Sequence, residues 1–285
     1  MATKDRQTAA VEQAIGLSEV YKFPDFGKLY STVFGQMSIP KEWRRRLRFG
    51  QDRTILEIGA GSGRFTGLIT QRANGKNAYV RAMEPRRDCL ERLGSLRKDF
   101  EGSLSIELAQ FPCSLMHGEK YSHIFMVQNT FLEIVNENSK LRDAVGETLQ
   151  ELNDLRRNDG KILFDLPMPM QLKKRGTIFK GHIDGIGDVD YSYSNAVQNR
   201  NSYSLMLSYS IASEKGTRSV KSRLGFYIPP LREIEEIARR MNLNMQTHPI
   251  DRMPSFFPAQ HVIVELGNGN GTHRSSREPF QLKID

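Results

Sequence analysis

A glutamate and three alternating glycines follow a short apolar run near the middle of the first third of the chain. The segment 56–63 reads Leu-Glu-Ile-Gly-Ala-Gly-Ser-Gly, and a helical pattern begins at Arg64. Glycine lets a backbone turn sharply and lets a ligand approach where a Cβ atom would block it. The first turn of the following helix presents free N–H groups, which favour anionic ligand groups. The segment is therefore predicted to hold a cofactor.

A second acid, Glu84, lies about twenty residues after the last of these glycines, at the end of the next predicted strand. An acid at this position accepts hydrogen bonds from ribose hydroxyls. Gly61, Gly63 and Gly67 also fit a dinucleotide fingerprint, so a nicotinamide dehydrogenase is an alternative. Glu57 opposes it, because a carboxylate before the first glycine repels a pyrophosphate and suits an ammonium group. S-adenosylmethionine, an amino acid joined to a nucleoside, satisfies both acids.

Strands and helices alternate from residue 54 onward. Short apolar runs predict strands over 54–58, 78–83, 104–108, 121–127, 161–166 and 261–266. Apolar residues at steps of three and four over 141–155 predict an amphipathic helix, which Gly160 is expected to end. Because parallel strands need helices or long crossovers between them, this order predicts an α/β protein with a parallel sheet.

Residues 167–228 have a different pattern. Large apolar residues alternate with polar ones in several stretches, which predicts an antiparallel insert of three or four strands. Pro229 and Pro230 are expected to start a helix after it. The predicted division is a helical leader or lid at 1–53, a cofactor-binding core at 54–166, the insert at 167–228, the rest of the core at 229–266, and a flexible tail at 267–285.

The order and spacing of these motifs resemble the class I S-adenosylmethionine-dependent methyltransferases over residues 50–166 and 226–266. The resemblance implies a Rossmann-like, doubly wound, mostly parallel seven-stranded sheet, with the antiparallel β insert after strand 5 and the helical leader before it. It also implies that Glu57 holds the ammonium of the cofactor and that Glu84 binds its ribose. The cofactor-binding residues it implies are Glu57, Gly59, Ala60, Gly61, Gly63, Glu84, Pro85, Gln110, Phe111, Gln128 and Asn129.

Two of these positions carry specific expectations. Gln110 and Phe111 stand where the family often has Asp followed by a hydrophobic residue beside the adenine, and a Gln carbonyl can accept the same hydrogen bond. Gln128 and Asn129 follow the fourth strand, which in the family lies beside the transferred methyl group.

The acceptor is predicted to be a small molecule that is methylated on nitrogen, oxygen or an activated carbon. The reaction is expected to belong to a biosynthetic pathway. Residues 128–131 lack the prolines of adenine-N6 enzymes, and no cysteine stands there for cytosine C5 chemistry. The insert resembles that of aminosugar and glycine-type N- or O-methyltransferases. Substrate-binding candidates are Tyr21, Tyr191 and Tyr193, and candidate catalytic groups are Tyr30, Glu133, Asp165, His182 and His261.

Composition leaves alternatives open. The net charge is +8, and residues 41–53 supply about half of it, so an RNA methyltransferase is one alternative. A cofactor-binding protein with non-methylating chemistry or a regulatory role is another. The 2 cysteines and the absence of a long apolar run predict a cytoplasmic protein without a disulfide framework or a membrane segment. No metal site and no nucleic-acid partner are expected, whereas the insert could support a homodimer.

Overall fold

The computed structural model describes residues 26–35, 38–112, 118–137, 143–168, 174–199, 201–214, 216–251 and 260–268. Tyr21 and the helix predicted near the start of the chain lie outside these ranges, as does nearly all of the predicted tail.

The described residues form helices and strands in alternation over most of their length. The helices are α1 Phe26–Gly35, α2 Lys41–Arg46, α3 Arg64–Ala73, α4 Arg87–Asp99, α5 Thr130–Glu137, α6 Asp143–Leu155 and α7 Leu231–Arg240. The strands are β1 Thr54–Ile58, β2 Tyr79–Glu84, β3 Leu104–Leu108, β4 Tyr121–Met126, β5 Arg156–Pro167, β6 Gly176–Ile183, β7 Gly187–Asn199, β8 Ser202–Ser213, β9 Gly216–Tyr227, β10 Asn244–Ile250 and β11 His261–Gly267.

The larger sheet has seven strands in the order β10-β11-β5-β4-β1-β2-β3. Strands β1 to β5 pair in parallel, and β11 is antiparallel to both of its neighbours. This arrangement confirms the predicted mostly parallel α/β sheet. The strand order reverses between β1 and β4, and ligands of such sheets bind in the crevice beyond the carboxyl ends of the strands at that point.

Both faces of this sheet are covered, which explains why its strands read as continuous apolar runs. On one face, Phe131 of α5 stacks on Phe164 of β5 with ring centroids 4.1 Å apart. On the other, Trp43 of α2 packs edge-on against Phe65, with centroids 5.3 Å apart. The basic segment near residue 45 is therefore anchored by a fully buried tryptophan.

The insert forms a second sheet of four antiparallel strands in the order β6-β7-β8-β9, as the alternation predicts. One face is apolar and buried, and Tyr191 meets Tyr209 edge-on across the β7–β8 pair. Leu29 of α1 belongs to the same buried cluster. The first described helix therefore packs on the second sheet.

The predicted boundary between α6 and the fifth strand is wrong. The helix ends at Leu155 and β5 begins at Arg156, so Gly160 lies inside the strand. A Cβ atom on Gly160 would lie 2.7 Å from the backbone oxygen of Tyr121. This glycine therefore permits close approach of β4 and β5, and does not end a helix.

Strand β10 was not predicted from the local pattern. It lies at the edge of the sheet, pairs only with β11 in the described sheet, and alternates weakly. Pro249 is accommodated there because an edge strand can lack one backbone donor. Among the described residues, no helix has the length and apolarity needed to cross a membrane.

Candidate active site

The loop after β1 carries its glycines in backbone conformations that favour glycine. Gly59 and Gly61 have φ angles of +71° and +55°. A Cβ atom on Gly59 would lie 2.5 Å from the side chain of Thr130, and one on Gly61 would lie 3.3 Å from the Tyr30 ring. The loop therefore lies between the start of α5 and helix α1. Its glycines leave the backbone accessible to a ligand.

Gly63 has a different reason to be glycine. Its φ is +81°, and a Cβ atom there would lie 2.7 Å from Leu96 and 2.8 Å from Leu93. This glycine lets α3 pack closely against α4. Gly63 lines neither of the two adjoining cavities beside the glycine loop, which most of the other predicted cofactor residues do line.

Glu84 ties the end of β2 to the glycine loop. Its Oε2 accepts a hydrogen bond of 2.7 Å from the backbone N–H of Gly61, and its Oε1 accepts one of 3.1 Å from the N–H of Arg86. An ionised carboxylate is an acceptor-only group with about four lone-pair sites, which suits the hydroxyl groups of a ligand. Pro85 follows directly and lines the same cavity.

Glu57 is a buried carboxyl group, and one of its oxygens lacks a hydrogen-bond donor within the described part of the chain. It is 1% exposed, and its Oε2 has no hydrogen-bond partner among the described residues. Burial raises the pKa of Glu57 to about 8; the Thr66 hydroxyl acts against this shift, and the Glu84 carboxylate adds a smaller increase. Since buried polar groups are normally satisfied, this oxygen fits the ammonium group of a ligand.

A cavity of about 290 Å³ lies between the glycine loop and the second sheet. The predicted cofactor residues that line it are Gly59, Gly61, Glu84, Pro85, Gln110, Phe111, Gln128 and Asn129. Glu57 and Ala60 border a smaller adjoining space, which Tyr30, Gln128 and Gly59 share with the main cavity. Most of the predicted cofactor residues therefore surround one continuous region.

The Asp165 carboxylate stabilises the turn after β4 by hydrogen bonds. Gln128 and Asn129 have left-handed φ angles of +62° and +68°. Their N–H groups donate to Oδ1 and Oδ2 of Asp165, at 2.6 and 3.2 Å. His261 Nδ1 lies 3.2 Å from the same carboxylate, and both side chains are fully buried. Asp165 and His261 therefore shape the turn and do not line the cavity, which leaves neither of them placed as a base.

His182 lies on the second sheet away from the cavity. Its Nδ1 is 2.8 Å from Asp188, and its side chain is 61% exposed. The structure does not bring this predicted catalytic candidate to the site, because the strand directs it to the solvent side of its sheet.

Tyr30, Glu133, Tyr191 and Tyr193 do line the cavity. The Tyr30 hydroxyl donates to Gln128 Oε1 at 3.0 Å, which joins α1 to the turn after β4. Burial and the nearby Glu133 carboxylate raise the pKa of both Tyr30 and Tyr191. The two phenols therefore stay neutral at physiological pH, whereas Glu133 supplies a carboxylate.

Sequence reasoning missed the apolar residues of the cavity. Ile178, Leu205, Leu207 and Leu224 of the second sheet line it beside the tyrosines. The alternation in β8 places Leu205 and Leu207 on one face, and this signal could have found them. Within the described ranges, no group of three or more His, Cys, Asp or Glu side chains is arranged to hold a metal ion.

No protein-family model and no curated protein matches the sequence. Solved structures do match its fold. The sugar N-methyltransferase KedS8 from Streptoalloteichus is 13% identical, with 89% of this chain and 95% of that chain covered and a TM-score of 0.61. An S-adenosylmethionine-dependent methyltransferase from Clostridium acetobutylicum is 12% identical, with 86% and 98% covered and a TM-score of 0.56.

A third structure, S-adenosylmethionine-bound CalS10, is an amino pentose methyltransferase from Micromonospora echinaspora. It is 10% identical, with 90% of this chain and 95% of that chain covered and a TM-score of 0.51. Together with the strand order and the position of the insert, these similarities show that the chain has the fold of class I S-adenosylmethionine-dependent methyltransferases.

Proposed function

We propose that the protein is an S-adenosylmethionine-dependent methyltransferase of a small molecule, acting in a biosynthetic pathway. The observation that carries the proposal is the pair of buried acids beside the glycine loop, Glu57 and Glu84. One has an oxygen without a partner and the other is fixed by two backbone N–H groups. A cofactor that joins an ammonium group to a ribose satisfies both.

The residues present fit this cofactor from end to end. Glu57 would pair with its ammonium, Gly59 and Gly61 would lie along its amino-acid part, and Glu84 would accept the ribose hydroxyls. Phe111, 5% exposed, offers an apolar surface for the adenine. When bound, S-adenosylmethionine supplies an electrophilic methyl group on a sulfonium.

Glu133 is the proposed general base. Methyl transfer depends mainly on proximity and orientation, and a protonated nucleophile also needs a group that accepts its proton. Glu133 lies in the first turn of α5, lines the cavity, and is close enough to Tyr30 and Tyr191 to raise the pKa of each. Tyr30 holds the turn after β4 through its hydrogen bond to Gln128, and the neutral Tyr191 phenol lines the same cavity.

Calorimetric titration with S-adenosylhomocysteine tests the proposal. We expect saturable binding to the purified protein, weakened at least about tenfold by Glu84→Ala, because a charged hydrogen-bonding partner is lost. The control is Glu101→Ala, which removes an exposed carboxylate after α4 and should leave the affinity unchanged. Equal affinities for the wild type and Glu84→Ala would mean that the ribose lies elsewhere.

An RNA methyltransferase is a second candidate, favoured by a basic cavity of about 350 Å³. Arg45, Arg46, Arg48 and Lys161 line it, with Glu265 among them. None of these residues lines the cavity beside the glycine loop. Because the two cavities share no residue, the small-molecule reaction is the better supported function.

A further inference from the structure

We propose that the acceptor is a small amine whose nitrogen is attached to an apolar body. This inference rests on the proposed methyltransferase function and adds the chemical class of its substrate. It is drawn from the contrast between the two ends of the acceptor side of the cavity: an apolar roof supplied by the second sheet and a polar end supplied by α5 and the turn before it.

The roof consists of side chains from one face of the second sheet. Leu205 and Leu207 of β8 are each 3% exposed, and Leu224 of β9 is 6% exposed. Leu205 is paired directly with Leu224, and Leu207 with Tyr193, so these side chains form one continuous surface. The area available to an acceptor on this side is therefore aliphatic and aromatic.

A polyhydroxylated acceptor does not match this surface. Each hydroxyl buried without a hydrogen-bond partner costs about 1–3 kcal/mol, and aliphatic side chains offer none. Two tyrosines of β7 add hydroxyls to this surface: the Tyr193 hydroxyl lies at the β6 edge, 2.7 Å from where a Cβ atom on Gly176 would be, and Tyr191 is 1% exposed and packs edge-on against Tyr209. An apolar body instead gains about 25 cal/mol per Å² of surface that it removes from water.

The polar end of the cavity includes two side chains with acceptor oxygens. Glu133 presents a carboxylate, and Asn129, 7% exposed, has an Oδ1 atom without a partner among the described residues. A ligand group that hydrogen-bonds to these two oxygens must be a donor, such as an N–H or O–H group. Asp165 accepts a hydrogen bond from the Asn129 backbone N–H, which holds the backbone that carries this side chain.

The charges of the lining select a cation over an anion. Glu133 is the charged residue that α5 contributes to the main cavity, whereas Glu84 and Arg86 lie at the end of β2 and Arg64 borders the smaller adjoining space. A carboxylate or phosphate beside Glu133 would be repelled, whereas an ammonium group would be attracted. An amine therefore fits better than an acidic acceptor or an uncharged alcohol.

The reaction balances with the groups present. The amine binds as its ammonium form and loses one proton to Glu133, which frees the nitrogen lone pair. That lone pair forms the new bond to the methyl carbon while the carbon–sulfur bond breaks, and its electron pair stays on sulfur. The methylated nitrogen leaves carrying its positive charge, and Glu133 releases the proton to solvent.

Binding to the protein saturated with S-adenosylhomocysteine tests the substrate class without needing the natural acceptor. The probes are phenethylamine, its neutral counterpart phenethyl alcohol, the anion phenylacetate, and glucosamine. We expect phenethylamine to bind at least about tenfold more tightly than each of the other three. Glucosamine binding as tightly as phenethylamine, or phenylacetate binding more tightly, would overturn the inference.

Three variants test which end of the cavity contacts the amine group of the probe and which contacts its apolar body. Glu133→Gln, at an exposed side chain, should weaken phenethylamine binding at least about tenfold. Leu207→Asn should weaken it similarly by removing apolar contact, whereas Met206→Asn, on the opposite face of the same strand, should not. Unchanged phenethylamine affinity in Glu133→Gln would contradict the proposed amine contact even if Leu207→Asn failed to fold.

Cofactor binding and amine binding are tested by separate measurements. If S-adenosylhomocysteine does not bind, the methyltransferase proposal is wrong and the acceptor inference falls with it. If S-adenosylhomocysteine binds but phenethylamine does not, the acceptor inference is wrong and the methyltransferase proposal stands.

Discussion

At the scale of single residues, the protonation of Glu57 is the most informative feature. Burial raises its pKa from the usual 4.5 to about 8, so the ligand-free fold prefers the neutral acid. Because the folded pKa is above the unfolded value, this group's contribution to stability is complete below pH 4.5 and is lost as the pH rises through about 8. An ammonium ligand reverses the preference, since it favours the carboxylate.

Cofactor binding should therefore release a proton from Glu57. Near pH 7, we expect titration of S-adenosylhomocysteine into the wild type to release about one proton per ligand bound. The measurement is the binding enthalpy in phosphate and in Tris, which differ in ionisation enthalpy. The enthalpies should differ for the wild type and agree for Glu57→Gln. Identical wild-type enthalpies in the two buffers would contradict the role given to this acid.

At the scale of elements, the junction of β4 and β5 depends on Gly160. The strand backbones approach so closely there that a Cβ atom would lie 2.7 Å from the Tyr121 oxygen and 3.0 Å from the Arg157 oxygen. Neither of these backbone atoms can rotate away as a side chain could. The Tyr121 oxygen belongs to β4 and the Arg157 oxygen to β5 itself, so a side chain at position 160 would crowd both strands.

Gly160→Ala should therefore lower the free energy of unfolding by about 1–3 kcal/mol, the usual cost of overpacking. Gly146→Ala is the matched control, because it lies inside α6 and a Cβ atom there meets nothing within 4 Å. Alanine should stabilise that helix by about 0.5–1 kcal/mol. Urea unfolding measures both changes, and equal effects of the two substitutions would refute the close-approach argument.

The elements that sequence reasoning predicted correctly have local signals. Strand β1 reads as a buried apolar run, the loop after it as glycines, and α7 as an apolar stripe that begins after Pro230. The misplaced boundary at Gly160 and the missed edge strand β10 depend on neighbours that are distant in sequence. The pattern of residues within one segment does not show which distant segments will pack against it.

The same distinction applies to the site. Glu57, Glu84 and the glycines were predicted because their spacing along the chain reflects their chemistry. Asp165 was assigned as a candidate base because its chemistry would allow it, but it is enclosed beneath the turn by hydrogen bonds to residues far away in sequence. Whether a carboxylate faces a cavity is decided by packing across β5 and β11, which the sequence pattern does not show.

At the scale of the whole molecule, the positive charge has a defined location. Part of it lies around the basic cavity between α2, β4, β5 and β11, where Arg45, Arg46, Arg48 and Lys161 come together. Burial and the nearby Lys161 and Arg53 lower the pKa of His123 to about 4. Against the effect of burial, His248, Lys161 and Arg46 lower the pKa of Glu265 to about 2. Lys161 contributes to both shifts, and neither residue lines the proposed cofactor cavity.

The small-molecule account predicts that this charge does not make the protein an RNA enzyme. At about 0.15 M salt, where exposed charges are screened beyond about 8 Å, we expect no measurable binding of mixed tRNA in a filter-binding assay. Tight binding that falls steeply with salt, and that disappears when Arg45 and Arg48 are replaced by Glu, would support the RNA alternative instead. S-adenosylhomocysteine affinity of that double variant serves as the control for folding.

Assembly through the second sheet stays a prediction, as does the division into domains. Val197 of β7 is 51% exposed and is the large apolar side chain that the described part of this sheet leaves in solvent. Sedimentation equilibrium of the wild type and Val197→Lys measures whether a dimer forms and whether this position contributes to it.

The most direct test of the central claim is a crystal structure of the protein with S-adenosylhomocysteine. The account predicts that the ligand lies along the loop at Gly59 and Gly61, with its ammonium at Glu57 and its ribose hydroxyls at Glu84. Its sulfur should face the cavity that contains Glu133. A ligand bound elsewhere, or a cleft that stays empty at saturating ligand, would contradict the account.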